Sequence, residues 1–309
     1  MMGTLSQDYM RIGHVGYTTG NLNDALDFYC GKLGIENSRV QVSDQPYLSD
    51  VTGHPECKLK IGFTSPKDAE LPFEIIEYLS PAGGKLEVGM FMSGSAHISW
   101  EVDDLSIACE KLKAKGIPLV APASRISHGI WKGAQTVYFQ DPDGLINQFI
   151  EIAGREGGSG RIRGMHHVCY IVDDMDSALN FLCKDIGMEF IEKTRTYDEL
   201  PIEIPPGGSV PFEAAYARFP EGDFFIELWK YGHQGKMPTV SSNMTGSIHF
   251  CINVGSIHYF METLESAGIP IAGPPAMVTA GINKGALAKY LPPIHGIVCE
   301  LFQGRPILL

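Results

Sequence analysis

The amino-acid sequence predicts an α+β fold made of four copies of one small unit, each a strand, a helix and then several further strands. The second half of the chain repeats the first at an offset of 152 to 153 residues, and apolar stretches of strand length recur within each half. A pattern with helical periodicity follows the first strand of a unit. This order of elements favours helices packed outside curved sheets.

The first unit begins with a strand from Ile12 to Thr18. The helix that follows is indicated by five apolar residues that share one face: Leu22, Ala25, Leu26, Tyr29 and Leu33. We expect Asn21 or Asn23 to cap the start of this helix and Gly34 to follow its end. Further strands of this unit are predicted at Leu59 to Phe63 and at Phe73 to Tyr78.

The second unit restarts the pattern with a strand from Ala96 to Val102. A helix through Ala108 and Leu112 should end at Gly116. Two strands then follow, at Gln135 to Phe139 and Ile146 to Ile152.

The second half of the chain repeats these two units. Asp24-Ala-Leu-Asp-Phe-Tyr-Cys30 matches Ser177-Ala-Leu-Asn-Phe-Leu-Cys183, and Lys115-Gly-Ile-Pro-Leu119 matches Ala267-Gly-Ile-Pro-Ile271. A polar stretch rich in glycine separates the halves and is typical of a linker. We therefore predict a first domain at 8–153, a linker at 154–162 and a second domain at 163–305.

Composition and charge indicate the class of protein and argue against some kinds of partner. The chain has 309 residues, of which 44% are hydrophobic and 19% charged, as in compact proteins with a large core. Its net charge of −12 argues against nucleic acid or an anionic membrane as a partner. It lacks an apolar run of transmembrane length. Seven cysteines without a Cys-x-x-Cys pair fit a reducing cytoplasm. We expect a small-molecule substrate and a monomer or homodimer.

Residues of metal-ligand type occur in one order in the first half and again in the second. They lie within apolar, strand-like stretches, where a polar side chain is costly to bury unless it is paired. A metal ion supplies that pairing. The first set is His14, Glu74, His97 and Gln148, and the second is His167, Glu227, His249 and Glu300.

A single histidine on a strand is more often a hydrogen-bonded core residue than a ligand. Here seven of the eight positions are His or Glu, and the eighth, Gln148, can still ligate through its carbonyl oxygen. Repeated core positions would be Val, Ile or Leu. The repeat therefore predicts a duplicated metal-binding module, and hence an enzyme.

With these residues, the chain resembles the vicinal oxygen chelate superfamily, which includes glyoxalase I, methylmalonyl-CoA epimerase and extradiol dioxygenases. The resemblance covers nearly the whole chain. It is carried by Gly13-His-Val-Gly16, Ala96-His-Ile-Ser-Trp-Glu-Val-Asp-Asp104 and Asp141-Pro-Asp-Gly144, and in the second half by His167-Val168, Ile226-Glu-Leu228 and Gly296-Ile-Val-Cys-Glu-Leu301.

The resemblance implies paired βαβββ modules that form half-barrel sheets with outer helices, around a divalent metal ion. In glyoxalase-like proteins the two halves exchange strands, which would give one site of His14, Glu74, His249 and Glu300 and another of His167, Glu227, His97 and Gln148. In the dioxygenase-like arrangement each half keeps its own ligands, and the second-half site is His167, His249 and Glu300.

Departures from the family pattern bear on the reaction. Gln148 stands where the other half has Glu300, so the two sites should be unequal. The asparagine that follows Ile-Glu-Leu in glyoxalase I is replaced by Trp229-Lys-Tyr-Gly, which argues against glutathione. His128 precedes Val137-Tyr138, as a catalytic histidine does in extradiol enzymes, although that half ends in Gln148.

The function that we expect is a lyase or isomerase that moves a proton on a small α-oxygenated carbonyl substrate. Glu300 is the first candidate for the base, with Glu74 opposite and His128 as a further candidate. Ni, Co, Zn, Mn or Mg would suit these ligands. The alternatives are an Fe(II)-dependent extradiol-type dioxygenase and a metal-free binding or resistance protein. Specificity should lie in loops such as Gln45-Pro-Tyr-Leu and Pro205-Pro-Gly-Gly.

Overall fold

The computed structural model describes residues 9–89, 92–127, 129–154, 157–196, 212–231 and 236–304. In this part of the chain, the strands form two eight-stranded sheets, and helices pack against them. The predicted α+β fold of tandem modules is confirmed.

The strands fall into four groups of four, one for each predicted unit. The strands of the first half are β1 (Met10–Thr19), β2 (Glu36–Ser43), β3 (Lys58–Ser65), β4 (Phe73–Ser80), β5 (Ala96–Val102), β6 (Ser124–Arg125), β7 (Gln135–Gln140) and β8 (Ile146–Glu151). Those of the second half are β9 (Ile162–Ile171), β10 (Glu189–Thr196), β11 (Phe212–Arg218), β12 (Phe225–Tyr231), β13 (Ile248–Val254), β14 (Ala276–Met277), β15 (Leu287–Tyr290) and β16 (Val298–Gln303).

The helical segments follow the first strand of each unit, with one addition. They are α1 (Leu22–Leu26), α2 (Tyr47–Thr52), α3 (Leu105–Ala114), α4 (Met175–Leu179) and α5 (Ile257–Ser266). The Asn21 side chain caps α1 by accepting hydrogen bonds from two backbone N–H groups, as predicted. Both α1 and α4 continue as π-helix, over Asp27–Lys32 and Asn180–Ile186, where the sequence pattern predicted one regular helix.

Each sheet combines strands from both halves of the chain. The first sheet has the order β14-β15-β16-β13-β1-β4-β3-β2, and the second has the order β10-β11-β12-β9-β5-β8-β7-β6. The halves therefore join through two antiparallel pairs, β1 with β13 and β5 with β9. The predicted boundaries at 8–153, 154–162 and 163–305 divide the chain but not the sheets, because each sheet contains strands from both predicted domains. The boundaries remain a proposal.

The first sheet curls until its two edges meet. Gly281 follows β14 at one edge of the sheet, and Gln41 lies on β2 at the other edge. A Cβ built on Gly281 would lie 3.0 Å from the Gln41 side chain, so the two edges are close together. The helix α2 also packs against β14 and β15, although it comes from the other end of the chain. One face of the sheet is therefore enclosed.

One continuous apolar core lies between the two sheets and includes buried aromatic residues of both, among them Tyr17, Phe73, Trp100 and Phe250. None of the helices in the described ranges is long and apolar enough to cross a membrane.

The Asp-Pro-Asp-Gly turn binds the second unit to the first. Asp143 accepts hydrogen bonds from the hydroxyls of Tyr17 (2.7 Å) and Thr19 (2.5 Å). Asp141 is buried and accepts one from Tyr29 (3.1 Å). Burial raises the pKa of the Asp141 carboxyl to about 6, against hydrogen bonds that lower it. The turn thus carries a buried polar network between the sheets.

Candidate metal centres

Four predicted ligands lie on the four central strands of the first sheet, and we call them the first site: His14 on β1, Glu74 on β4, His249 on β13 and Glu300 on β16. The strand register arranges them in two rows. Glu74, Gly16 and His249 are neighbours in one row, and His14, Cys251 and Glu300 in the other. Residues two apart on a strand share a face, so all four ligands project to one side.

The ligand atoms of the first site converge. The Nε2 atoms of His14 and His249 are 3.2 Å apart. Nε2 of His14 lies 3.4 Å from Oε2 of Glu74 and 3.2 Å from Oε2 of Glu300. Nε2 of His249 lies 3.8 and 3.9 Å from the same two oxygens. Atoms that share one ion at about 2.0–2.2 Å lie about 2.8 Å apart when adjacent and up to about 4.4 Å apart when opposite, so these residues fit a divalent metal.

Gly16 makes room for this arrangement. A Cβ at Gly16 would lie 1.8 Å from Cε1 and 2.3 Å from Nε2 of His249. The imidazole of His249 thus occupies the space of the missing side chain, between Glu74 and His14.

The two imidazoles of the first site differ in protonation. Burial lowers the pKa of His14, but the charge of Glu74 and a hydrogen bond with Glu300 raise it well above its usual value. Burial and the charge on His14 lower the pKa of His249 well below its usual value. Two histidines so close cannot both be cationic, and a metal ion would take the place of the shared proton.

A cavity of about 90 Å³ adjoins the first site and is lined by Glu74, Glu300 and Tyr290, among others. The Tyr290 hydroxyl lies 3.0 Å from Nε2 of His249. The predicted specificity loop at 45–48 also reaches this cavity, through Tyr47 and Leu48. The other predicted loop, Pro205-Pro-Gly-Gly, lies outside the described residues.

The other four predicted ligands occupy the central strands of the second sheet and form the second site: His97 on β5, Gln148 on β8, His167 on β9 and Glu227 on β12. Nε2 of His167 is 2.9 Å from Oε2 of Glu227. Gln148 donates its amide hydrogens to Thr136 (2.8 Å) and Tyr138 (2.9 Å). The other amide atom, Oε1, is the one that can ligate.

The second site has buried polar atoms that a metal would satisfy. Among the residues described, Nε2 of His97 and Oε1 of Gln148 are buried without a hydrogen-bond partner. Burial, together with His167, lowers the pKa of His97 to about 3, and burial lowers that of His167 to about 3. Both rings are therefore neutral, which is the form that binds metal.

Aromatic side chains contact the histidines of the second site. Trp131 stacks on His167, with ring centroids 5.7 Å apart and planes 11° apart. Trp229 contacts His97 edge-on at 4.9 Å, and Tyr138 contacts the same ring at 5.5 Å. The two sites therefore share ligand positions, but only the second has indole rings against its histidines among the residues described.

The structure brings the eight sequence-predicted residues together as two groups of four, each drawn from both halves of the chain. The alternative grouping of His167, His249 and Glu300 is not brought together, because β9 lies in one sheet and β13 and β16 in the other. His128, the further catalytic candidate, lies outside the described residues.

Two cysteines beside the ligands were missed from the sequence. Cys251 forms a possible metal-binding group with His14 and Glu300, and Cys169 forms one with His97 and Glu227. Each comes two residues after a predicted histidine ligand on the same strand, so strand alternation alone could have placed it on the ligand face. Burial raises the pKa of the Cys251 thiol to about 12.

Comparison with protein families gives one match that spans most of the chain. The model of the Glyoxalase/Bleomycin resistance protein/Dioxygenase superfamily matches residues 11–149 and 164–284. A probable chloroplastic lactoylglutathione lyase of Arabidopsis thaliana is 25% identical over 239 residues, which cover 76% of this chain. The matched region spans only 54% of the Arabidopsis protein. The lactoylglutathione lyase of Haemophilus influenzae is 29% identical over 153 residues, 49% of this chain and 99% of that protein.

Solved structures share the fold. Glyoxalase I of Zea mays superposes with a TM-score of 0.64 at 19% identity, covering 96% of this chain and 93% of that one. A putative dioxygenase of Bacillus subtilis superposes with a TM-score of 0.62 at 18% identity, covering 97% and 87%. At these identities the likeness establishes architecture, and the chemistry has to be inferred from the site.

Proposed function

The chain belongs to the glyoxalase/bleomycin resistance protein/dioxygenase superfamily, as its motifs predicted, and on that basis we propose that its first site is a metal-dependent active site. The proposed reaction is that of a lyase or isomerase, which transfers a proton between adjacent carbons of a small α-oxygenated carbonyl substrate.

The observation that carries this proposal is the convergence of four ligand atoms beside a cavity. The imidazoles of His14 and His249 and the carboxylates of Glu74 and Glu300 approach within 3.2–3.9 Å for the pairs measured. The same carboxylates line the cavity, so a substrate there would contact them. The second site has the ligands but is covered by aromatic rings, and we propose that it binds metal without turning over substrate.

The residues of the first site have separate tasks in this chemistry. A divalent ion held by the four side chains would polarise two adjacent substrate oxygens and offset negative charge that develops on them. Glu300 is the proposed base that takes the proton from one carbon and returns it to the next. Glu74 faces the same cavity from the other side of the sheet centre and orients the substrate. Tyr290 packs against the ring of His249, with ring centroids 5.0 Å apart.

The names of the relatives narrow the substrate class that we propose. A lactoyl thioester carries a hydroxyl on the carbon next to its carbonyl, and making one from an α-oxoaldehyde and a thiol requires a proton shift between those carbons. We propose an α-oxoaldehyde–thiol adduct as the substrate class. Ile75-Ile-Glu-Tyr78 follows Glu74 of the first site, in place of the asparagine expected for glutathione, and favours a thiol other than glutathione.

Metal removal and replacement test this proposal. The protein is stripped with a chelator, reloaded with Ni, Co, Zn, Mn or Mg, and assayed with methylglyoxal and a panel of thiols that includes glutathione. We expect activity only after reloading. Oxygen consumption with a catechol after Fe(II) loading would instead support the extradiol dioxygenase. If no metal binds on titration, the metal-free binding protein is the better description.

Two matched variants assign the activity to a site. His14→Ala should remove one metal equivalent and abolish turnover, because His14 lies at the centre of the first site. His167→Ala should remove one equivalent and leave most of the turnover, because His167 belongs to the second sheet. Elemental analysis and the adduct assay on both variants give the answer. Activity lost in His167→Ala but kept in His14→Ala would contradict the assignment.

A further inference from the structure

One side chain in the first site has no place among the predicted ligands. Cys251 is fully buried and lies between His14 on β1 and Glu300 on β16 in a single row of the sheet. Neighbours in a row of adjacent strands point to the same face, with Cβ atoms about 4.5–5.5 Å apart. The sulfur of Cys251, a ring nitrogen of His14 and a carboxylate oxygen of Glu300 accordingly lie within 4.8 Å of one another.

The residue that corresponds to Cys251 is small in each of the four units. The residue two places after the ligand histidine is Gly16, Ser99, Cys169 or Cys251 in the four units. At Gly16, even a Cβ would collide with the imidazole of the opposite strand. In the first site, the row with His249 therefore has no side chain at its centre, whereas the row with His14 has a thiol there.

We propose that Cys251 is an additional ligand of the metal ion that the first site binds before substrate arrives, so that nitrogen, oxygen and sulfur hold the ion. The inference rests on the proposed function, because it assumes that this site binds a metal. A thiolate binds Zn²⁺ at about 2.3 Å, slightly farther than nitrogen or oxygen does. The proton of the thiol leaves when the metal binds.

A sulfur ligand changes which metals the site prefers. Soft thiolates favour Zn²⁺ and similar borderline ions, whereas carboxylates and water suit Mg²⁺ and Mn²⁺. The first site should therefore take Zn²⁺ or Co²⁺ in competition with Mn²⁺ or Mg²⁺, and it should lose that preference without Cys251.

Cobalt spectroscopy tests the proposal without an activity assay. The full chain carrying Cys169→Ser, which removes the thiol of the second site, is loaded with Co²⁺. We expect a near-ultraviolet sulfur-to-cobalt charge-transfer band in this variant. The band should disappear when Cys251→Ser is added, and Zn²⁺ affinity should fall about 10-fold or more. The matched control is Cys299→Ser, which removes a buried thiol next to Glu300 that packs in the main core instead.

The outcomes separate this inference from the proposed function. Bound Co²⁺ with d–d absorption but no charge-transfer band would overturn the sulfur ligand and leave the metal enzyme intact. A band that survives Cys251→Ser would also overturn it. No Co²⁺ binding at all would overturn both proposals. If the double variant does not fold, X-ray absorption at the zinc edge of the Cys169→Ser protein decides, since a sulfur neighbour at about 2.3 Å supports the inference and a purely nitrogen and oxygen shell refutes it.

Discussion

Replacing Gly16 by alanine tests whether the first site depends on the space that this glycine leaves open. The added Cβ would lie 1.8 Å from Cε1 and 2.3 Å from Nε2 of His249. Real Cβ atoms keep about 3.4 Å or more from such neighbours, so the ring has to move by roughly 1–1.6 Å. The methyl group is held by the backbone of a central strand and cannot yield.

A displacement of this size should matter more for metal binding than for folding. Overpacking a buried site typically costs about 1–3 kcal/mol of stability. The same movement takes Nε2 of His249 out of the cluster, where it now lies 3.2 Å from Nε2 of His14. Losing the alignment of a ligand should weaken metal binding by about 10²-fold, which corresponds to about 2.7 kcal/mol. Turnover should fall at least as far.

The assay compares Gly16→Ala with Gly13→Ala, a control on the same strand. The nearest atoms to a Cβ at Gly13 belong to the Asn253 side chain, at 3.0 Å and beyond, so a shift of a few tenths of an ångström accommodates it. Metal affinity by titration calorimetry and stability by urea unfolding are measured for both. We expect weak metal binding only in Gly16→Ala. If Gly16→Ala binds metal as tightly as the unchanged protein, the imidazole of His249 is not a ligand in this position, and its assignment to the first site is wrong.

Three further substitutions probe the base, the closed second site and the buried network. Glu300→Gln keeps a ligating oxygen but cannot accept the proton, so metal should stay bound while turnover falls about 10²–10⁴-fold; equal loss of both would contradict a role as base. Trp131→Ala removes the ring stacked on His167, so the free energy of unfolding in urea should fall by about 2–4 kcal/mol without loss of turnover. A fall below about 1 kcal/mol, or a loss of turnover, would contradict a purely structural role for Trp131. The pKa of Asp141, raised by burial to about 6, means that its protonated form stabilises the fold fully below about pH 4 and that this contribution is lost as the pH rises through 6. Asp141→Asn should therefore gain about 1–3 kcal/mol relative to the unchanged protein between pH 4 and pH 7, and a difference independent of pH in urea unfolding would refute this.

The sequence predicted the positions of the ligands because a duplicated chain carries its own comparison. His14 and His167 are 153 residues apart, as are Glu74 and Glu227, so each pair marks the same place in the same strand. Short-range patterns were enough to place those strands and their helices. The π-helical continuation of α1 was not predicted, because apolar spacing does not distinguish one helical hydrogen-bond pattern from another.

The grouping of the ligands could not be chosen from the sequence. It depends on whether β1 pairs with β13 or stays within its own half, and either pairing satisfies the same local pattern. The structure shows the exchanged pairing. Strand alternation could have placed Gly16 and Cys251 on the ligand face, but it could not give the ligands beside them. Their places in the rows follow from a register shift between Ile12 and His14, and a one-residue shift of this kind leaves no mark in hydrophobic periodicity.

The difference between the two sites was predicted from Gln148, but the structure gives a second cause. Restoring the carboxylate with Gln148→Glu would supply the missing ligand charge, while Trp131 and Trp229 would still cover the histidines. If space limits the second site, this change alone should not create activity. In a chain whose first site is disabled by His14→Ala, we expect Gln148→Glu to bind metal and show no turnover of the α-oxoaldehyde–thiol adduct. Measurable turnover there would mean that the glutamine, and not the aromatic cover, keeps the second site silent.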